Sequence, residues 1–352
     1  MIFKCETESE AKALLLQQGF LAFTRQQFLT ADRSEVSFCL PEGVRCHVLD
    51  IGVLQFEPAR PDMAAGGTDL ILSCGVHGNE TGPIEMLDRI VSQILNSTTK
   101  LGNRLLCIIG NPKAVAQQQR FSQENLNRLF NAGHKNKSSY EAGRAKTLER
   151  HVDSFFVSSE CAGTKRVHYD LHTAIRASKY PQFVVYPYAD GAGFDTSALA
   201  FFKHSGINTV LLSHQPSHTF SYFSSHVYQA ESFTVELGRV RPFGENDLDD
   251  FDLIQRNLLS LIAGEVLNLP DFDNNDFHIF AVKHELLKQS EQFVLNLAAD
   301  VPNFHQLPNN YVLTDDTDGG YQVQHDDEAI VFPNAKVPVG QRVGLIIHKT
   351  EL

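Results

Sequence analysis

The chain reads as an α/β protein, a mixed sheet sandwiched by helices, followed by a small all-β unit. Two observations carry that reading. Over residues 1–268, short apolar runs of strand length alternate with helical stretches, the pattern of a layered α/β fold. Beyond Leu269-Pro-Asp-Phe-Asp-Asn-Asn-Asp276 that pattern stops, and strand-like runs are separated by Pro, Gly, Asn and Asp. Two units, 1–268 and 269–352, are therefore expected. With 352 residues, 42% of them hydrophobic, the chain has material for a large core.

Residues 8–18 have helical composition, and 38–56 alternate as a strand pair around Pro41-Glu-Gly43. Residues 70–74, Leu-Ile-Leu-Ser-Cys, read as a buried strand. The helix expected over 83–95 has apolar residues at Ile84, Leu87, Ile90, Val91 and Ile94. Pro83 suits its first turn, with Asn79 or Thr81 as the cap. Further strands are expected at 105–109, 167–171, 183–186, 209–212 and 233–237, and helices at 140–157 and 248–267. The second unit is expected to hold strands at 279–283, 291–297, 311–313, 329–332 and 342–348. In open α/β sheets, ligands gather beyond the strand C-termini.

The net charge of −12, without a lysine-rich block, argues against nucleic acid or an anionic membrane as partner. No apolar run approaches a membrane span. The N-terminus turns acidic within its first residues and lacks the basic region and long apolar core of a secretory leader. Cys5, Cys39, Cys46, Cys74, Cys107 and Cys161 show no C-x-x-C spacing, so neither a disulfide framework nor a thiolate metal site is expected. The cytoplasm is the expected compartment. The oligomeric state stays open, a homo-oligomer included.

The chemistry concentrates after the strands. Gly75-Val-His77-Gly-Asn-Glu80-Thr-Gly-Pro83 sets a histidine and a carboxylate three residues apart, just past the 70–74 strand. Imidazole and carboxylate are ordinary zinc donors, and His172, in Tyr169-Asp-Leu-His172-Thr-Ala, supplies a third. Three protein ligands with an open position is the catalytic pattern. Glu236 ends an apolar run, Phe233-Thr-Val-Glu236-Leu-Gly238. Burial there raises its pKa toward the working range of a general base or acid, whereas an ion-paired strand glutamate is the plain alternative. Asn127 and Arg128, with Arg120 upstream, read together as an anion clamp, although any one of the arginines alone reads as a surface salt bridge.

Gly75–Pro83, Gly110-Asn-Pro112 followed by Arg120, residues 125–130, Asp170-Leu-His172-Thr and Val235-Glu236-Leu-Gly238 resemble the zinc carboxypeptidase-like superfamily, within it the succinylglutamate desuccinylase and aspartoacylase group. Asp-Leu-His-Thr-Ala-Ile-Arg176 and Glu328-Ala-Ile-Val-Phe-Pro-Asn334 are most similar to the desuccinylase branch. The resemblance covers nearly the whole chain. It implies one zinc ion on His77, Glu80 and His172, Glu236 as proton shuttle, and Arg120 polarising the scissile carbonyl. Asn127 and Arg128 would hold the carboxylate of the amino-acid half. The implied reaction is hydrolysis of the linear amide of N-succinyl-L-glutamate to succinate and L-glutamate, in arginine breakdown. The other readings are a different N-acyl amino acid hydrolase such as an aspartoacylase, and a non-catalytic zinc-binding protein. Aspartoacylases carry an arginine ahead of the catalytic glutamate, and the stretch 222–228 has none. Arg176, four residues beyond His172 and accompanied by Lys179, is expected to bind the succinyl carboxylate.

Overall fold

The computed structural model describes residues 7–31, 35–59, 67–159, 163–189, 191, 193–317 and 319–352. Cys5, Cys161 and the first six residues lie outside the described residues. Helix α1 (Glu8–Thr30) opens on a Thr7–Glu10 capping box and continues well beyond the expected helix. It breaks at Gly19, with φ 81°, and Asp88 Oδ1 accepts the Leu21 N–H there at 2.8 Å. Strands β1 (Val36–Cys39), β2 (Arg45–Asp50) and β3 (Val53–Glu57) form an antiparallel meander. The expected pair is thus three strands, because a tight turn at Gly52, φ 71°, barely interrupts the alternation.

Next come β4 (Thr68–Cys74), α2 (Thr81–Leu95), β5 (Arg104–Ile109), α3 (Pro112–Gln117), α4 (Tyr140–Val157), β6 (Lys165–Ala174) and β7 (Gln182–Tyr186). They are followed by α5 (Ser197–His204), β8 (Thr209–Leu212), α6 (Phe220–Tyr228), β9 (Glu231–Arg239) and α7 (Asp252–Ala263). α7 is shorter than the expected 248–267: a 3₁₀ turn precedes it, and Gly264 ends it in the left-handed conformation, φ 72°. The remaining strands are β10 (His278–Leu287), β11 (Val294–Leu295), β12 (His305–Gln306), β13 (Val312–Asp315), β14 (Tyr321–Gln322), β15 (Ala329–Val331) and β16 (Arg342–Lys349).

One thirteen-stranded mixed sheet runs in the order β1-β2-β3-β5-β4-β6-β9-β7-β8-β10-β16-β15-β12, and β11, β13 and β14 form a small second sheet. β5, β4, β6 and β9 are parallel neighbours. β8 pairs with β10 in parallel, so the sheet passes unbroken into the C-terminal strands.

Successive residues of a strand face opposite sides of the sheet, and the two faces differ. Leu70, Leu72 and Cys74 of β4, Val167, Tyr169 and Leu171 of β6, and Phe233, Val235 and Leu237 of β9 join the apolar layer shared with α1, α2, α5 and α7. The alternate positions turn toward α4 and α6. There Ile71, Leu106 and Ile108 are apolar, but Ser73, His168, Asp170, His172, Thr234 and Glu236 are buried polar groups. That polar row occupies the central parallel strands and leads to their C-terminal ends.

Candidate active site

The loop after β4 brings the first two candidate ligands inward. Gly75 turns it at φ 62°. Gly78 packs so closely on α3 that a Cβ would lie 2.1 Å from the Ala114 carbonyl carbon. Glu80, rather than Asn79 or Thr81, takes the N-cap position of α2, and it makes no capping hydrogen bond. The Thr81 hydroxyl instead donates to the Arg241 carbonyl at 2.6 Å. The Glu80 carboxylate is therefore left to point into the site.

His77, Glu80 and His172 offer donor atoms all within 4.8 Å of one another, and all three are buried. Their neighbours fix which lone pairs are free. His77 Nε2 lies 2.9 Å from Asn125 Oδ1, an acceptor, so it carries the proton. His172 Nε2 lies 2.8 Å from Asp170 Oδ2 and likewise donates. Both Nδ1 lone pairs then face Glu80: His77 Nδ1 is 2.8 Å from Oε1 and His172 Nδ1 is 2.8 Å from Oε2. The His77 contact lacks hydrogen-bond alignment, and this buried nitrogen has no hydrogen-bond partner. Two imidazole lone pairs converging on a carboxylate require a positive charge among them, and the cluster can hold a metal ion.

Without a metal ion, the electrostatics supply that positive charge as a proton on His172. Burial opposes a charged His172, yet Asp170 and Glu80 outweigh it and lift its pKa well above normal. Burial favours neutral Glu80, but His77 and His172 hold it well below the usual carboxylate range. His77 falls to about 4 through burial and then the charge of Arg120, so it is a neutral donor. Arg120 Nη1 donates to Glu80 Oε1 at 2.8 Å.

Behind His172 runs a buried chain of hydrogen bonds. Ser73 Oγ donates to Asp170 Oδ1 at 2.5 Å. His168 Nε2 lies 2.8 Å from Ser73 Oγ, and His168 Nδ1 lies 2.7 Å from Ser224 Oγ on α6. Burial holds His168 near 4, hence neutral. Ser73, His168, Asp170 and Asn125 were not among the expected site residues. The available signal was His168 and Asp170 at alternate positions of 167–171 and the lone Ser73 in 70–74; no local pattern marks Asn125.

Glu236 pairs in register with His172 across β6 and β9, so both side chains leave the same face of the sheet. Its Oε2 is buried without a hydrogen-bond partner. Burial pushes its carboxyl up to about 7, with His172 pulling the other way. Asn127 Oδ1 accepts the Phe220 N–H at 2.9 Å, which leaves the amide NH₂ for donation. Arg128 is solvent-exposed and forms no ion pair among the described residues. The loop that carries Arg120, Asn125, Asn127 and Arg128 is anchored by Glu141 of α4. This fully buried carboxylate accepts the backbone N–H groups of Ser122, Gln123 and Glu124 and the side chain of Asn111.

Arg176 Nη1 donates to the carbonyls of Ala299 and Val301, at 2.5 and 3.3 Å, so it ties the loop after β6 to the C-terminal strands. Lys179 lies over the Tyr180 ring. A loop leaving a strand can turn to either side, and the spacing from His172 does not say which.

Among the described residues no helix is long and apolar enough to cross a membrane. The family model of the succinylglutamate desuccinylase/aspartoacylase catalytic domain matches residues 66–262, and that of the AstE/AspA barrel-sandwich hybrid domain matches 275–350. A succinylglutamate desuccinylase of Shewanella sp. (strain MR-7) is 43% identical over 334 residues, 94% of this chain and 95% of the relative. The crystal structure of the succinylglutamate desuccinylase from Vibrio parahaemolyticus superposes with a TM-score of 0.86 at 33% identity, covering 96% of both chains. The enzyme of the same name from Chromobacterium violaceum gives 0.83 at 36% identity, covering 95% of this chain and 98% of its own.

Proposed function

The chain belongs to the succinylglutamate desuccinylase/aspartoacylase family, and from that premise we propose that it hydrolyses N-succinyl-L-glutamate to succinate and L-glutamate, in arginine catabolism, with one zinc ion per chain. The observation that carries this reading is the meeting of two oriented imidazoles on Glu80 beside Glu236, whose buried Oε2 has no hydrogen-bond partner. The donor set of two histidines and one glutamate is chemistry zinc accepts. Zinc held by His77, Glu80 and His172 would supply Lewis acidity, acidifying a water and polarising the amide carbonyl.

The chain's own residues do the rest. Glu236 takes the proton of the attacking water on its carboxylate and returns it to the leaving nitrogen. A carboxyl raised to about 7 by burial is suited to both halves of that cycle. Arg120, already beside Glu80, directs its guanidinium N–H groups to the oxyanion as it develops. The Asn127 NH₂ and Arg128 hold a carboxylate of the amino-acid half. The reading divides the chain at 268/269 and puts it in the cytoplasm, where Cys39, Cys46, Cys74 and Cys107 remain free thiols.

Steady-state rates of the zinc-loaded enzyme on N-succinylglutamate, N-succinylarginine and N-acetylaspartate test the proposal. N-succinylglutamate should have the highest kcat/KM. Preference for N-acetylaspartate would make the chain an aspartoacylase, and turnover of none would make it a zinc-binding protein without this activity.

A further inference from the structure

The loop before α4 and the C-terminal strands meet through residues 213–218: the Phe130 N–H donates to the His218 carbonyl at 3.2 Å, and the Gln215 side chain donates to Glu285 of β10. Arg128 and Arg120 come from the loop before α4, and Arg342 begins β16 in the C-terminal strands. Arg128 is exposed, and its Nη1 donates to the Asn127 carbonyl at 2.6 Å. Desolvation first, and then the charges of Arg342 and Arg120, pull its guanidinium below the usual arginine range, with Glu285 opposing. It stays charged at neutral pH.

Glu285, the carboxylate that acts on Arg128, is already shared. Glu285 of β10 accepts from the Gln215 side chain at 2.7 Å, and its other oxygen is 3.8 Å from Arg342 Nη1. That separation is an ion pair without a hydrogen bond. The Arg342 side chain keeps about a third of its surface exposed (32%). Two neighbouring guanidiniums, Arg128 with no carboxylate and Arg342 with a loose one, have more positive charge and donors than the protein satisfies. An acid with two carboxylates a short methylene spacer apart would satisfy both.

Resting on the desuccinylase reading above, we infer that Arg342 is a specificity residue: it binds the side-chain carboxylate of the glutamate half while Arg128 holds the other. The C-terminal unit would then complete the substrate site, and selection for an acidic amino acid would come from it.

The test compares N-succinylglutamate with N-succinylglutamine, its neutral isostere, and with N-acetylglutamate, on zinc-loaded enzyme. Arg342→Ala should lower kcat/KM for N-succinylglutamate and N-acetylglutamate by ~10–100-fold, the scale of a lost charge-assisted hydrogen bond, and change N-succinylglutamine by less than ~3-fold. Arg342→Lys should recover part of the preference. Glu285→Gln, which removes the competing carboxylate, should keep or sharpen it. Equal losses on all three substrates, or loss of preference in Glu285→Gln as large as in Arg342→Ala, would reduce Arg342 to a structural partner of Glu285 and overturn the inference. A loss seen only with the succinyl substrates would overturn it too, by moving Arg342 to the acyl carboxylate. If Arg342→Ala does not fold, the Lys and Gln variants decide alone: a preference unmoved in both overturns the assignment. A wild-type enzyme that turns over no succinylated substrate fails the reading beneath it, a separate outcome visible before any variant is made.

Discussion

At the scale of single residues, the orientation of the ligands matters as much as their identity. His77→Ala or His172→Ala should abolish metal binding, since two donors hold the ion poorly. Less obviously, Asn125→Ala and Asp170→Asn should weaken it ~10–100-fold, because each fixes the protonated nitrogen of a ligand histidine. Zinc titration against a competing chelator checks both pairs. Glu236→Gln should retain the metal and the fold but lose ~10²–10⁴ in kcat, with KM little changed. In wild type, kcat/KM should fall on the acid side as Glu236 takes up a proton and ceases to be a base. That limb should lie at pH 7 or lower, because burial raises the carboxyl to about 7 and a bound cation beside it favours the charged form. The limb should vanish from the residual activity of Glu236→Gln. A persisting limb would assign it to another group.

At the scale of elements, the site is a loop, a strand row and a second loop pressed together. The first loop depends on Gly78, where any Cβ would collide with the Ala114–Val115 backbone. Gly78→Ala should therefore displace His77 and Glu80 and cost metal affinity by at least ~10–100-fold. Gly143→Ala is the control. It lies within α4 with nothing within 4 Å of the added carbon, and it should stabilise the protein by ~0.5–1 kcal/mol with the metal site unmoved. Chelator titration and thermal melting of the two variants separate the effects. These elements also explain what was legible in the sequence. Candidate site residues embedded in motifs next to apolar runs, such as His77, Glu80, His172 and Glu236, could be read because burial of a polar group in such a run demands a reason. Their orienting partners could be read only in part. Asp170 and His168 stood at alternate positions of one strand, but Asn125 and Glu141 act across 48 and 19 residues of chain, and only packing brings them in. For Arg176 the sequence distance from His172 carries no direction, and only packing shows that it reaches the Ala299 and Val301 carbonyls.

At the scale of the whole molecule, the alternation of strands and helices foretold the layered core, and the composition shift foretold the C-terminal strands. What neither foretold is that the two share a sheet. The parallel pairing of β8 with β10 is a contact between strands separated by α6, β9, α7 and a connecting segment, and no local pattern encodes it. Its consequence is a prediction about truncation. Phe183 and Leu211 of the first unit are buried against Phe280, Phe304, Val331 and Ile347 of the second. Asn303 also bonds to the loop around Arg176 through two backbone hydrogen bonds. Cutting after residue 268 would uncover Phe183 and Leu211, at ~1.5–3 kcal/mol each, and leave β8 as an open edge. Against a typical total of ~5–15 kcal/mol that loss is large. Residues 1–268 expressed alone should therefore aggregate or melt without a cooperative transition, whatever metal is supplied. A soluble fragment with a sharp transition within about 5 °C of the full chain would show instead that the shared sheet contributes little, and that the C-terminal strands are joined to the fold for what they bring to the site rather than for its stability.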